Sequence, residues 1–199
     1  MLKKIAPKNH SHSTELYQLK YKICISGAAE TGHCAPDAHE KAEAIGREVA
    51  RHNMILVTGA TTGLPYWAAK GAKDEGGFVI GFSPAASKIA HLNTYHLPVD
   101  YHDLIVYTGF NYGGRNLFLV RAADAVITVC GRIGTLNEFT IAFEDNKPIG
   151  VLTGTGGMAD EIEDIIKKAH RGPGKVVFDS DPASLIEKVA ALIEEEEKK

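Results

Sequence analysis

The chain has 199 residues, a length that suits one domain of ordinary size. Hydrophobic residues make up 44% and charged residues 24% of the sequence, as in typical globular proteins, and the net charge is −3. This charge argues against a nucleic-acid partner, which favours a basic face, but it is compatible with a small anion bound by backbone amides. Because no apolar run could span a membrane and the N-terminus lacks the apolar segment of a secretion signal, we expect a cytoplasmic protein.

Short β-branched runs alternate with longer helical stretches along the chain. The predicted strands are residues 21–26, 54–58, 78–82, 104–108, 125–129, 149–152 and 176–178. The predicted helices are residues 37–52, 64–75, 117–123, 135–144, 158–170 and a last one that begins at 182. Residues 83–103 are less regular, and we predict that they form a connection with one short helix.

Continuous apolar strands separated by helices predict a parallel sheet that is covered on both faces. With right-handed crossovers this gives a doubly wound, Rossmann-like α/β fold with three layers, αβα. No linker divides the sequence, so we predict a single domain over residues 21–193. Residues 1–20 are predicted to be a mobile lead-in, and residues 194–199 a solvated charged tail.

The three cysteines, Cys24, Cys34 and Cys130, include no CxxC pair. Cys24 and Cys130 lie in apolar runs, which is typical of small buried residues. An odd number of cysteines in a protein expected to be cytoplasmic favours reduced thiols, and this is our prediction for all three.

Histidines are frequent, yet their spacing does not predict a metal site. His10 and His12 lie in the N-terminal segment, where a solvated tail is the better interpretation. His91, His96 and His102, with Asp100 and Asp103 nearby, match no standard ligand spacing. We therefore expect no metal, and we expect these loop histidines at the surface or at an oligomer contact.

Four loops that follow predicted strands carry glycine and hydroxyl residues: 26–32, 58–64, 108–116 and 130–135. Ligands of doubly wound sheets bind beyond the carboxyl ends of the strands, so all four would lie on one ligand edge. Glycine allows the backbone to approach a ligand closely, although turns from strand to helix also require glycine for purely structural reasons. From the first two loops we predict ligand contacts at Gly27, Ala28, Gly59 and Gly63. None of the loops is a GxGxxG or a Walker sequence.

The most informative local pattern is Gly131-Arg132-Ile133-Gly134-Thr135-Leu136-Asn137-Glu138, at a strand end that opens a helix. Gly131, Gly134 and Thr135 could offer amides and a hydroxyl to a phosphate at the helix start. Glu138, one turn further, could hold ribose hydroxyls or orient a water molecule. An alternative is equally open, because Thr135-x-x-Glu138 is also the sequence of a capping box, in which the glutamate only satisfies a backbone amide.

A second pattern, Gly113-Gly114-Arg115-Asn116, is predicted to lie at a helix start on the same edge. There the Arg115 guanidinium could form two parallel hydrogen bonds to a phosphate or a base, and Gly114 and Asn116 could also contact the ligand. Alternatively, Arg115 pairs with a surface carboxylate and Asn116 caps the helix.

Further side chains near this edge are weaker candidates. Tyr95, Tyr101, Tyr107 and Tyr112 could stack on a heterocycle, although interior packing is the usual role of aromatic residues. Ser26 and Thr58 could reach a ligand, or they could close the turns at the ends of their strands.

Taken together, the two motifs resemble a known superfamily, the LONELY GUY (LOG) and molybdenum-cofactor carrier group, over about residues 22–192. LOG enzymes hydrolyse the N-glycosidic bond of nucleoside 5′-monophosphates. The resemblance implies that Glu138 and Arg115 are the catalytic pair and that Gly131, Gly134 and Thr135 form the phosphate loop. It also implies a homodimer or a higher homo-oligomer.

The sequence departs from the LOG pattern P-G-G-x-G-T-x-x-E with its Arg-Lys partner. Cys130 replaces the proline, Arg132 the second glycine and Asn116 the lysine. The Gly-Arg-Asn form is more similar to the cofactor-carrier branch, which binds a phosphorylated pterin. The first hypothesis is therefore a binding or carrier protein for a nucleotide-like or pterin ligand, with no required cofactor. A phosphoribohydrolase that acts on nucleoside monophosphates is the second, and a regulatory module without ligand chemistry is the third.

Overall fold

The β-branched apolar runs form seven strands in the computed structural model, which describes residues 19–198. The strands are β1 Lys22–Gly27, β2 Ile55–Thr58, β3 Phe78–Ser83, β4 Leu104–Tyr107, β5 Ala125–Val129, β6 Ile149–Leu152 and β7 Val176–Asp179. The helices between and after them are α1 Ala38–Arg51, α2 Leu64–Asp74, α3 Lys88–Asn93, α4 Asn111–Ala122, α5 Ile133–Glu144, α6 Gly157–Ala169 and α7 Pro182–Glu197.

The strands pair in parallel in one sheet with the order β4-β3-β2-β1-β5-β6-β7. Strands β2 to β4 are added on one side of β1 and strands β5 to β7 on the other, and β1 and β5 lie side by side with Gly27 opposite Val129. Such a switch point leaves a crevice beyond the carboxyl ends of the two strands, because the helices that follow them cross to opposite faces. The predicted doubly wound, three-layer fold is confirmed.

Alternate residues of the central strands point into two separate cores. Ile23 and Ile25 of β1 pack with buried residues of α1, α2 and α7. Cys24, between them, packs on the other face with buried residues of α4, α5 and α6. Ser26 therefore shares its face with α4 and α5, the two helices that carry the predicted site motifs.

Helix α4 begins earlier than the sequence predicts. It starts at Asn111 instead of residue 117, so Gly113, Gly114 and Arg115 lie within the helix and not in the loop before it. The two adjacent glycines indicated a loop, but they are accommodated because Gly114 packs closely against the side chain of Phe110. Asn116 likewise lies inside α4, so the interpretation of this residue as a helix cap is wrong.

At the chain ends, only part of the prediction lies within the described residues. The first eighteen residues of the predicted lead-in, with His10 and His12, lie outside them. At the other end α7 continues to Glu197, so most of the predicted charged tail is helical. The carboxylate of Glu197 accepts a hydrogen bond from the hydroxyl of Tyr21 beside β1. Between residues 19 and 198, no helix is long and apolar enough to cross a membrane.

Candidate functional site

A cavity of about 490 Å³ opens at the switch point between β1 and β5. Of the predicted site residues it is lined by Gly27, Ala28, Gly59, Arg115, Asn116, Gly134, Thr135 and Glu138. The lining also includes Glu30, Thr61, Thr62, Tyr95, His96, Tyr112 and Arg132. Most of these additional residues lie in the loops after β1, β2 and β5 that the sequence had indicated, so the loops themselves were the signal for them.

Three predicted ligand-binding glycines do not line the cavity, because each has a role in the backbone. Gly63 adopts φ +75° where α2 begins, and a side chain there would overlap the carbonyl of Ala28. Gly131 adopts φ +94° against the side chain of Thr135. Gly114 packs within α4 as described above. Gly63 and Gly131 are therefore conformational requirements of their loops, and Gly114 is required by close packing within α4, which is the structural alternative for glycine.

The floor of the cavity is an ion pair between Arg115 of α4 and Glu138 of α5. Arg115 Nη1 lies 3.1 Å from Glu138 Oε1, and both side chains are buried. The hydroxyl of Ser26, at the end of β1, donates to the other carboxylate oxygen of Glu138. One end of the Asn116 side-chain amide lies 2.9 Å from Glu138 Oε1, where its nitrogen can donate. Three side chains from β1 and α4 therefore hold one carboxylate.

These contacts decide between the alternatives for the two motifs. Helix α5 begins at Ile133 with Arg132 as its N-cap residue, and no side chain caps it. Thr135 is thus already in the helix, and Glu138 bonds to Ser26 and Arg115 and does not form the capping box. The pairing of Arg115 with a surface carboxylate is also wrong, since its partner is buried.

Burial raises the pKa of Glu138, while the Arg115 guanidinium and the hydrogen bond from Ser26 oppose this rise. Burial therefore destabilises the ionised form of this carboxyl group, and the neighbouring cation stabilises it. The guanidinium is not fully satisfied in return. Among residues 19–198, Arg115 Nε finds no hydrogen-bond partner although it is buried. A buried donor without a partner is unusual in a folded protein.

Gly59, after β2, makes room for this cation. A Cβ at position 59 would overlap the guanidinium of Arg115. The centroid of the Tyr112 ring lies 5.8 Å from the guanidinium carbon. Gly59, in the loop after β2, therefore leaves the space that the Arg115 side chain occupies, which sequence patterns alone could not indicate.

At the α5 end of the cavity, Gly134 borders open space. A Cβ placed on Gly134 would meet no heavy atom within 4 Å. The first amides of a helix have no partner inside the helix, and the helix dipole adds positive potential there. The floor cation and the α5 start thus both line the same cavity.

The mouth of the cavity is more exposed and more mixed in chemistry. Arg132 Nη1 pairs with Glu30 Oε2 at 2.9 Å, joining the loops after β5 and β1. Tyr95 and Tyr112 meet edge to face with ring centroids 5.8 Å apart, and His96 lies beside them in the lining. Of the four candidate tyrosines, Tyr101 and Tyr107 do not line the cavity; Tyr101 packs against the apolar core and Tyr107 against the His91 ring.

The prediction of three reduced cysteines is wrong for two of them. Cys34 and Cys130 form a disulfide across 96 residues, and only Cys24 is free and buried. The loops that carry the pair follow β1 and β5, which are neighbours in the sheet although distant in the chain. The imidazole of His33 lies 3.6 Å from the Cys130 sulfur, and these three residues could together offer metal-ligand atoms. With both sulfurs in the disulfide, only His33 retains a free donor atom.

The predicted surface position of the loop histidines holds only in part. His91 is fully buried in α3, where its ring bonds to Ser83 Oγ and to the carbonyl of Pro98. His102 bonds to Thr58 Oγ1 at 2.8 Å and to the carbonyl of Asp100. The hydroxyl of Thr58 also accepts from the Ala60 amide, which closes the turn after β2. His96 is the exposed member of the group and lines the cavity.

The fold and the cavity define a Rossmann-like protein with a cavity at the switch point of its sheet. The sequence model of the SLOG cluster4 family matches residues 20–186, and the chain belongs to this family. The resemblance to the LOG and molybdenum-cofactor carrier superfamily is thereby confirmed.

The proteins that are similar to the chain include two solved structures of molybdenum-cofactor proteins and one curated relative. The molybdenum cofactor carrier protein of Chlamydomonas reinhardtii is 28% identical with a TM-score of 0.70, over 88% of this chain and 99% of that one. The molybdenum cofactor binding protein of Rippkaea orientalis is 25% identical, also with a TM-score of 0.70, over 88% and 98%. A cytokinin riboside 5′-monophosphate phosphoribohydrolase of Rhodococcoides fascians is 34% identical over 105 residues, 49% of this chain and 48% of that protein. The chain thus matches about half the length of that enzyme.

Proposed function

We propose that this protein binds a phosphorylated small molecule, nucleotide-like or pterin-like, in the cavity between β1 and β5, and acts as a binding or carrier protein. The observation that carries the proposal is the cavity at the switch point, which is lined both by the buried pair of Arg115 with Glu138 and by Gly134 and Thr135 at the start of α5. The similarity to two proteins named for the molybdenum cofactor supports the ligand class.

In this proposal the phosphate lies against the start of α5. The amides near Gly134 and Thr135 donate to its oxygens, and the helix dipole stabilises its charge. The two arginines add no net positive charge to the cavity, because Arg115 pairs with Glu138 and Arg132 pairs with Glu30. The amides and the dipole of α5 therefore bind the phosphate in this proposal. This arrangement suits a net charge of −3 for the whole chain.

The heterocycle lies toward the mouth, against Tyr95, His96 and Tyr112. Rings there offer flat apolar faces at a partly exposed position, which suits a planar base or pterin. Stacking alone does not select one heterocycle, so the proposal is limited to the class of ligand.

The test is a binding titration of the full chain with AMP, and with a molybdopterin-type ligand, by calorimetry. Saturable binding that is lost in Arg115→Met, with no free base released on incubation, supports a carrier. Arg121→Met is the matched control, because Arg121 lies in the same helix but pairs with Asp145 on the surface. Equal loss of binding in both variants, or no binding of either ligand, contradicts the proposal.

A second candidate function is hydrolysis of the N-glycosidic bond of a nucleoside 5′-monophosphate. It is favoured by the carboxylate of Glu138 in the cavity beside Arg115, and by the similarity to the phosphoribohydrolase. In that case Glu138 holds the ribose and stabilises the positive charge that develops on the sugar, while Arg115 positions the substrate.

Release of adenine from AMP, followed by liquid chromatography, tests this activity. A hydrolase loses most of its rate in Glu138→Gln, where each 1.36 kcal/mol of barrier corresponds to about tenfold in rate. Glu163→Gln on the exposed face of α6 is the control and retains full activity. Adenine release that survives in Glu138→Gln would come from a contaminant or from other residues.

We also propose that the chain forms a homo-oligomer through α4. The rings of Phe110 and Phe118 stack with centroids 5.0 Å apart, yet both are about half exposed. The edge strand β4, which precedes α4 in the chain, exposes Leu104 and Val106. Exposed apolar patches of this kind mark interaction sites, and a second copy is the simplest partner. Light scattering after size-exclusion chromatography should show a mass reduced to that of the monomer in Phe118→Asp; a monomeric parent protein contradicts this.

A further inference from the structure

The Cys34–Cys130 disulfide joins two of the loops that build the cavity. Cys34 follows Ala28, Ala29 and Glu30 in the loop after β1, and Cys130 directly precedes the segment with Arg132, Gly134 and Thr135. The exposed pair of Glu30 with Arg132 connects the same loops at the mouth, but only by an ion pair. The disulfide is therefore their covalent connection.

The two sulfurs differ in accessibility. Cys130 is completely buried beneath the start of α6, whose Ala159 amide donates to its carbonyl at 2.8 Å. Cys34 is half-buried and lies between the exposed His33 and the half-buried Ala35. Of the two residues, Cys34 is therefore the one that a thiolate from solution can approach.

The leaving sulfur has a polar neighbour. His33 Nε2 lies 3.2 Å from the carbonyl of Gly131 and 3.6 Å from the Cys130 sulfur. An Nε2–H group in this position donates to the carbonyl and is also in reach of the sulfur. When the S–S bond breaks, the Cys130 sulfur becomes a stronger acceptor for the same donor.

We propose that Cys34–Cys130 is a thiol–disulfide exchange site that takes a small thiol at Cys34 and controls the order of the loops around the cavity. The incoming thiolate forms an S–S bond to Cys34, and the electron pair of the broken bond goes to the Cys130 sulfur, which takes up the proton that the small thiol released on ionising. A second thiolate then releases Cys34 as a thiol and leaves as the disulfide of the small thiol. Two electrons pass from two small thiols to the protein disulfide.

In the reduced state the loop after β1 is held to the β5 side by hydrogen bonds and ion pairs alone. The Ala35 amide still donates to the carbonyl of Thr155, and His33 still contacts Gly131. We expect the turn at Cys130 and Gly131 to become less ordered, and with it the α5 start. A weaker affinity for a phosphorylated ligand then follows; this consequence rests on the proposed function, whereas the exchange itself does not.

The exchange is tested on the native full chain with glutathione, followed by peptide mass spectrometry. The expected product is a mixed disulfide on Cys34 and none on Cys130, while Cys24 stays unmodified. Cys24 is the internal control because it is buried and free, and burial raises the pKa of its thiol. Modification of Cys130, or a disulfide that reacts only after denaturation, overturns the proposal.

A His33→Gln variant should exchange several-fold more slowly at the same sulfur, and an unchanged rate removes His33 from the mechanism.

The effect on the loops is tested by hydrogen–deuterium exchange of the oxidised protein, the reduced protein and Cys34→Ser. The amides of Met158 and Ala159, which bond to the turn at Gly131 and Cys130, should exchange several-fold faster without the disulfide. Equal exchange in all three overturns the control of loop order. AMP titrations of the same samples then measure the ligand consequence. If AMP binds none of them, the ligand proposal fails, while the mass and exchange results still decide the redox proposal.

Discussion

The cavity carries one arginine–carboxylate pair at its floor and another at its mouth, with nearly equal distances of 3.1 and 2.9 Å. The side chains of Arg115 and Glu138 at the floor are 6% and 9% exposed. Those of Arg132 and Glu30 at the mouth are 53% and 78% exposed. The two ion pairs therefore have similar distances, but one is buried and the other is exposed to solvent. The floor pair must remain paired because its charges have left water, whereas the mouth pair can separate at little cost when a ligand enters.

The sharpest test of this comparison removes one cation from each pair. Arg115→Met leaves the Glu138 carboxylate buried without a cation and should lower the free energy of unfolding by about 3–5 kcal/mol. Arg132→Met should lower it by about 0–1 kcal/mol, as for other exposed pairs. Urea denaturation followed by circular dichroism measures both. Similar losses in the two variants would show that burial is not what separates floor from mouth.

A smaller effect is expected from crowding the floor without removing a charge. Gly59→Ala places a methyl group against the Arg115 guanidinium, which must move away from Glu138. Overpacking of this kind costs about 1–3 kcal/mol. Gly32→Ala is the control, because a Cβ there meets no atom within 4 Å. A thermal-unfolding series that ranks the two variants equally contradicts a tight fit at Gly59.

A substitution at the mouth should change ligand affinity and leave the free energy of unfolding unchanged. Tyr112→Leu removes a half-exposed ring and should weaken AMP binding by about 1 kcal/mol, close to the low end for stacking on a base. Phe118→Leu changes a similarly exposed ring of the same helix that does not line the cavity, and should leave affinity unchanged. The free energy of unfolding should stay constant in Tyr112→Leu; a large loss would place this ring in the structural part of the site.

The smallest effect is expected at His102, whose exposure to solvent is intermediate between that of the floor pair and that of the mouth pair. Burial lowers its pKa, so the folded protein favours the neutral ring that bonds to Thr58. The stability from this group is complete above the unfolded pKa of about 6.5 and is lost as the pH falls through the lower folded value. His102→Gln should therefore lose less stability than the parent protein as the pH is lowered from about 6.5. Denaturation curves at several pH values measure this, and parallel losses in both proteins contradict it.

Local patterns explain why the sequence predicted so much of the floor. Glu138 was located because a helix of fixed pitch places it one turn after Gly134, and Arg115 because it follows a predicted strand of the same edge. The role of Ser26 as the donor to Glu138 was missed, since 112 residues separate the two and only the packing of α5 beside β1 joins them. The helical state of Gly113 and Gly114 was missed for a similar reason, because tertiary packing overrides the low helix propensity of glycine.

The sequence by itself determined the alternation of strands and helices, and with it a parallel sheet whose loops share one edge, because these properties depend on residues close together in the chain. Only the tertiary structure decided that β1 lies beside β5, that Arg115 meets Glu138 below the cavity, and that Cys34 is bonded to Cys130. Each of these contacts joins residues far apart in sequence. Their meeting follows from the strand order and from the burial of two cores, which no local pattern encodes.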